Sequence, residues 1–196
     1  MSGESSPPGR VGEHGSAASG DVRIALLALP DAPQYRELML EAYALAPDAF
    51  TSTAEERAAE PLSWWERRIA GADGLTCSFG AFVQGRLVGT VALEHTHKPK
   101  TCHSALLLGM YVRPQARGLG AGRSLVLAAI AAARARPGTR VLRLTATEGN
   151  EAALRLYESV GFMAWGTEPQ ALRMPGGFKG KVYMWLPLVE GDVAAA

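Results

Sequence analysis

The chain has 196 residues, 47% of them hydrophobic and 20% charged, with a formal net charge of +1. One domain plus a tail fits that length, because two cores would each be undersized; the balanced charge argues against nucleic-acid binding, which needs clustered Lys and Arg. No apolar run approaches the ~20 residues that cross a bilayer, and two cysteines, Cys77 and Cys102, are too few for a disulfide framework and suit a reducing compartment.

Residues 1–20 contain twelve Gly, Ser or Pro and no apolar block. They read as a disordered tail and not as a signal peptide, which needs ~7–15 apolar residues. A cytoplasmic protein is expected, with one folded domain over 21–190 and a short tail over 191–196. Residues 22–29 (VRIALLAL) read as a strand. A turn over Pro30–Pro33 leads into a helix over Tyr35–Ala46, with Leu38, Ala42 and Leu45 at helical spacing. Residues 47–60 read as a polar connection to a second helix over Pro61–Ala70, whose first turn tolerates proline. Residues 76–84 and 87–96 form a hairpin pattern split by Gly85-Arg86, and 103–112 extends it as a meander after a turn at Lys98–Thr101. A helix is expected over 118–136, with Leu119, Val126, Ile130 and Ala133 on one face, stopped by Pro137-Gly138. A strand over 140–147, a helix over 150–160 ended by Gly161, and strands over 162–167 and 181–188 complete the order. An antiparallel meander followed by a βαβ crossover predicts an α/β fold, a mixed and mostly antiparallel sheet of about seven strands flanked by helices.

The stretch Met110–Arg123 reads MYVRPQARGLGAGR. A strand ends at Val112, Pro114 breaks it, and Arg117-Gly118-Leu119-Gly120-Ala121-Gly122 opens a helix. The first N–H groups of a helix lack internal acceptors and carry the positive end of its dipole. Glycines let an anion approach them, since no Cβ intervenes. The dinucleotide fingerprint G-x-G-x-x-G is not met: the third glycine comes one place early at Gly122, and Arg123 fills the expected slot. The Gly-Lys-Ser/Thr of a nucleotide phosphate loop is absent as well. What remains is R-x-x-G-x-G, which is either an anion cradle or a plain connector.

Residues 150–162 (NEAALRLYESVGF) narrow the choice. Asn150 and Tyr157 stand two helical turns apart and project from one face. The run resembles the N-x-x-A-x-x-L-Y-x-x-x-G-F signature of the GNAT superfamily of N-acetyltransferases, and R-x-x-G-x-G resembles that family's coenzyme A pyrophosphate loop. The resemblance covers roughly residues 21–188 and is motif-specific at 117–122 and 150–162. It implies acetyl-CoA as co-substrate. Backbone N–H groups of Gly118, Gly120, Ala121 and Gly122, with Leu119 between them, would bind the pyrophosphate, and Arg117 and Arg123 would add charge. The strand ending at Met110, Tyr111 and Val112 would splay from its neighbour and bind the pantetheine arm through its backbone. Asn150 would hold cofactor or cap its helix, and Tyr157 would point its hydroxyl at the thioester sulfur. Gly161 and Phe162 read as a C-cap and core packing.

The implied chemistry is transfer of an acetyl group to a primary amine by direct attack, with a small-molecule amine as partner, no membrane or nucleic acid, and a homodimer left open. An amine of pKa ~10.4 must lose a proton before it attacks, whereas a phenol of pKa ~10 stays protonated at pH 7 and can donate to sulfur. No Ser or Cys nucleophile motif suggests an acyl-enzyme. Many family members carry an acidic residue near the start of the cofactor strand. Here that region reads Ser104-Ala105-Leu106-Leu107, so the base is sought elsewhere: Glu94 on the neighbouring strand, Glu148, or a chain of waters. His95, His97, Cys102 and His103 lack zinc-site spacing and read as a polar hairpin tip, so no metal is expected. The acceptor walls are expected at 47–65 and 168–180, with Asp48, Glu55 and Glu56 available to attract a cationic amine. Acetylation of a protein N-terminus or lysine, a silent CoA-binding domain and a nucleotide-dependent oxidoreductase are the competing readings.

Overall fold

The structure, a computed structural model, describes residues 21–188; the tails expected at 1–20 and 191–196 lie outside the described residues. The strands are β1 (Arg23–Leu26), β2 (Thr76–Val83), β3 (Arg86–Glu94), β4 (Ser104–Val112), β5 (Val141–Thr147), β6 (Met163–Met174) and β7 (Gly177–Pro187). They form one seven-stranded sheet in the order β1-β2-β3-β4-β5-β7-β6. Every neighbouring pair is antiparallel except β4–β5. This is the mixed sheet the pattern predicts. The helices are α1 (Ala32–Leu45), α2 (Ala54–Ala58), α3 (Leu62–Ile69), α4 (Ala121–Ala135) and α5 (Glu151–Ser159). None among the described residues is long and apolar enough to cross a membrane.

Each face of the sheet carries its own core. On one face α1 and α3 bury Tyr35, Leu38, Met39, Trp65 and Ile69 against Leu27, Phe82, Leu87 and Tyr111. On the other face α4 and α5 bury Leu125, Val126, Ile130 and Tyr157 against Val91, Leu93, Leu107, Leu142, Leu144 and Met184. Strand alternation decides which side chain serves which face. In β5, Leu142, Leu144 and Ala146 belong to the α4–α5 core, so Thr145 and Thr147 point to the α1–α3 side. In β7, Val182, Met184 and Leu186 do the same, which turns Lys181 and Tyr183 to the α1–α3 side.

Several local expectations need correction. Residues 47–60 are not only a connection: α2 forms there, nucleated by a capping box in which Thr53 Oγ1 accepts from Glu56 N–H at 3.2 Å and Glu56 accepts from Thr53 N–H at 2.9 Å. Leu45 is 64% exposed, and Leu119 lies ahead of α4 with 46% exposure, so neither belongs to the core stripe expected of it. The first hairpin turns at Gln84-Gly85, both with positive φ, and Arg86 already belongs to β3. The late loop expected at 168–180 is the end of a long β6–β7 hairpin, irregular between Glu168 and Leu172. An edge strand interrupted in this way is a poor template for further pairing.

Candidate active site at the splay of β4 and β5

The parallel β4–β5 ladder lasts only three pairs, Ser104↔Val141, Ala105↔Leu142 and Leu106↔Arg143. Beyond them each strand follows its antiparallel partner. β5 stays with β7 as far as Thr147↔Lys181. β4 stays with β3 across a bulge: the register passes from Ala92↔Leu108 to Thr90↔Tyr111, so Gly109 and Met110 together oppose Val91. Gly109 makes the bulge at φ 63°, a left-handed conformation that a Cβ would strain. The two strands therefore diverge and leave backbone N–H and C=O groups unpaired along their inner edges.

A cavity of about 390 Å³ fills the wedge and runs through the sheet. From the α4–α5 side it is lined by Met110, Ala153, Leu156, Tyr157 and Asn150; from the α1–α3 side by Tyr43, Phe50, Arg57, Arg68, Leu172 and Lys181. Tyr157 is 5% exposed and packs edge-on against Phe162 with ring centroids 5.8 Å apart. Burial pushes its phenol well above the ordinary range, which holds it protonated. Its hydroxyl has no hydrogen-bond partner among the described residues. Gly161, at φ 100°, ends α5, and Phe162 N–H donates to Tyr157 C=O at 3.1 Å. That closure fixes the ring at the cavity wall. Asn150 both caps α5, its Oδ1 accepting from Ala153 N–H at 3.2 Å, and lines the cavity.

The glycine loop adjoins the wall of the same wedge through Gly122. Helix α4 starts at Ala121, later than the pattern suggests, with Gly120 as its N-cap. Gly118 and Gly120 have φ of 79° and 78°, and nothing lies within 4 Å of where a Cβ would stand. The first intrahelical bond runs from Ser124 N–H to Gly120 C=O. The N–H groups of Ala121, Gly122 and Arg123 therefore have no acceptor inside the helix. A Cβ on Gly122 would sit 3.3 Å from Met110 Cε and 3.4 Å from Leu156, so this glycine joins the loop to the cavity wall. Arg117 and Arg123 are exposed beside the loop, with Arg117 Nε donating to Val112 C=O at 3.2 Å. The exposed Leu119 makes no core contact.

Of the three residues expected along the cofactor strand, Met110 lines the cavity. Tyr111 turns to the opposite core, where its hydroxyl donates to Glu41 at 3.2 Å. Beside it Arg113, 6% exposed, pairs with Glu37 at 2.8 Å and Glu41 at 2.9 Å and so ties the end of β4 to α1. Val112 lies near Gly122. Glu94 ends β3 exposed, and the structure does not bring it to the cavity with Tyr157. Glu148 borders a second cavity of about 250 Å³ next to Asn150, and it accepts from Gly180 N–H at 3.2 Å. At the hairpin tip His95 is buried while His97, Cys102 and His103 are exposed. No three His, Cys, Asp or Glu gather as a metal site among the described residues.

The acidic residues expected to wall the acceptor side do not face the main cavity. Asp48 pairs with Lys179, Glu56 is engaged in the α2 capping box, and Glu55 is exposed. The charged side chains on the wall are Arg57, Arg68 and Lys181. Sequence reasoning missed them, although the Thr53-x-x-Glu56 box and the alternation of β7 were signals that would have turned them inward.

An open helix N-terminus beside a wedge through a mixed sheet is a frame suited to binding an extended phosphorylated carrier. The profile of the acetyltransferase (GNAT) family matches residues 36–162, and the chain belongs to that family. A phosphinothricin N-acetyltransferase from Alcaligenes faecalis is 30% identical over 109 residues, 55% of each chain. A mycothiol acetyltransferase from Thermobispora bispora is 50% identical over 54 residues, 28% of this chain and 18% of that one. The match thus spans only 18% to 55% of the length of these curated relatives. A solved acetyltransferase structure from Salmonella typhimurium, with its cofactor acetyl-CoA, superposes with a TM-score of 0.71 at 24% identity, covering 89% of this chain and 98% of that one.

Proposed function

We propose that the protein is a cytoplasmic N-acetyltransferase that moves the acetyl group of acetyl-CoA to a primary amine of a small molecule. The observation that carries this reading is a cavity lined from both faces of the sheet at the splay, with the glycine loop packed against its wall through Gly122. The residues fit the carrier: three unpaired N–H groups and two arginines suit a pyrophosphate, and the free edge of β4 offers backbone partners to an amide-bearing arm. When bound, acetyl-CoA supplies an activated thioester, whose acetyl group passes to the amine while the amine gives up a proton and the departing sulfur gains one.

The chain's own groups have separate tasks. The Tyr157 hydroxyl, protonated and without a partner among the described residues, donates a hydrogen bond to the departing sulfur. Asn150 fixes the start of α5 and so the position of Tyr157. No carboxylate lines the main cavity, so the amine's proton leaves through water. Calorimetric titration with acetyl-CoA and with NAD, followed by thiol release against a panel of amines, tests the proposal. Tight NAD binding without a CoA signal would overturn it.

A further inference from the structure

We infer that the acceptor carries a free carboxylate beside its amine, held by Arg57, Arg68 and Lys181 at the α1–α3 mouth of the cavity; this rests on the acetyl-transfer reading. The three cations come from α2, α3 and β7 and converge on one cavity that has no Asp or Glu in its lining. Arg68 stacks on Trp64, its guanidinium 5.3 Å from the ring centroid. The phenols its charge reaches, Tyr35 and Tyr43, are kept protonated by burial. Neither Arg68 nor Lys181 has a carboxylate within ion-pair distance among the described residues. Arg57 donates to Ser52 Oγ at 2.7 Å and reaches Glu60 at 3.5 Å, and its Nε is buried without an acceptor.

The nearby carboxylates are bonded to other groups outside the lining. Glu168 stands opposite Lys181 in the β6–β7 ladder but accepts from the Tyr183 hydroxyl at 2.6 Å, and Glu148 accepts from Gly180 N–H. Among the described residues the lining itself presents these three cations and no carboxylate. Neither the glycine loop nor its arginines line this cavity, so these cations are left for the acceptor. A simple ammonium would be repelled by such a wall, and a neutral amine would not be selected. An amino acid satisfies it, with its carboxylate on the cations and its amine toward the splay. The same cations lower the pKa of the incoming ammonium, which favours the free amine in a cavity without a carboxylate base.

The test uses the twenty amino acids and their methyl esters as probes. Binding is read calorimetrically on protein saturated with CoA, where no transfer takes place, and transfer is read as thiol release with acetyl-CoA. At least one acid is expected to bind tenfold or more tighter than its ester. That comparison is stringent for transfer, because the ester's less basic amine is more available unprotonated. In folded Arg68→Gln or Lys181→Gln protein the acid should lose about ten- to hundredfold in affinity, the worth of a charge-assisted hydrogen bond. The acid-to-ester ratio should collapse, and Arg68→Lys should restore part of it. If no acid binds, if esters bind as well as acids, or if the ratio survives both substitutions, the inference is wrong. An acid that binds through these residues without thiol release would retain the carboxylate site and remove the acetyl-transfer reading instead.

Discussion

Replacing Tyr157 by Phe removes one hydroxyl and little else. The ring is 5% exposed and keeps its edge-on contact with Phe162. No group among the described residues hydrogen-bonds the hydroxyl, so nothing there is left unpaired by its loss, and stability should change by less than about 1 kcal/mol. The effect on turnover follows from the raised pKa. The phenol is a weaker acid than a thiol, whose ordinary pKa is ~8.5, so complete proton transfer to sulfur is uphill. Tyr157 then acts as a hydrogen-bond donor to developing negative charge, a contribution of about 1.5–3 kcal/mol, or roughly ten- to hundredfold in kcat. The Michaelis constant for acetyl-CoA should move much less, because the glycine loop and β4 are untouched. Steady-state kinetics on folded Tyr157→Phe protein measures both. The donor form is the neutral phenol and burial raises its pKa, so kcat should show no loss from this group as pH rises to ~10. A loss of kcat under about threefold, or an alkaline fall in wild type that disappears in Tyr157→Phe, would refute the assignment.

Arg117→Gln with Arg123→Gln should weaken CoA binding about tenfold or more and flatten its salt dependence, read by calorimetry at two ionic strengths. Gly109→Val places a branched side chain at φ 63°; it should cost about 1–3 kcal/mol in thermal unfolding and reduce CoA affinity further by disturbing the bulge. Arg113→Met strands Glu41 at the end of β4 and should destabilise the fold by about 3 kcal/mol in urea titration. Tyr35 is pushed up to about 12 from 10.0, chiefly by burial. Its contribution to stability is complete below the unfolded value and is lost as pH rises from about 10 to 12, so Tyr35→Phe should flatten the fall in unfolding midpoint over that window.

The sheet and the two motifs were legible because each leaves a local signal. Period-two apolar runs mark β2 to β5, Asn150 and Gly161 bracket α5, and glycines announce the loop before α4. The missed features depend on contacts distant in sequence. Glu94 looked available because it ends the strand next to β4, but the splay opens on the opposite edge of β4, toward β5. Asp48 and Glu56 looked free until the fold brought Lys179 and the α2 cap to them. The shortness of the β4–β5 ladder is a property of three strands together and leaves no mark on any one of them.

That short ladder links the two halves of the proposed chemistry. β4 and β5 are each held by an antiparallel partner on the outer side, so the sheet parts at the short seam between them. The groups left unpaired there cannot remain dry, since an unsatisfied buried amide costs more than a hydrogen bond returns. An amide-bearing arm satisfies the β4 edge without closing the sheet. Because the wedge is lined from both faces, the proposed carrier and acceptor would enter from opposite faces and meet at the splay. The two ends then meet different demands: unpaired N–H groups at the α4 end suit a pyrophosphate, and guanidinium and ammonium groups at the α1–α3 end suit a carboxylate. Tyr157 lines the cavity beside Ala153 and Leu156, where burial keeps its proton in place.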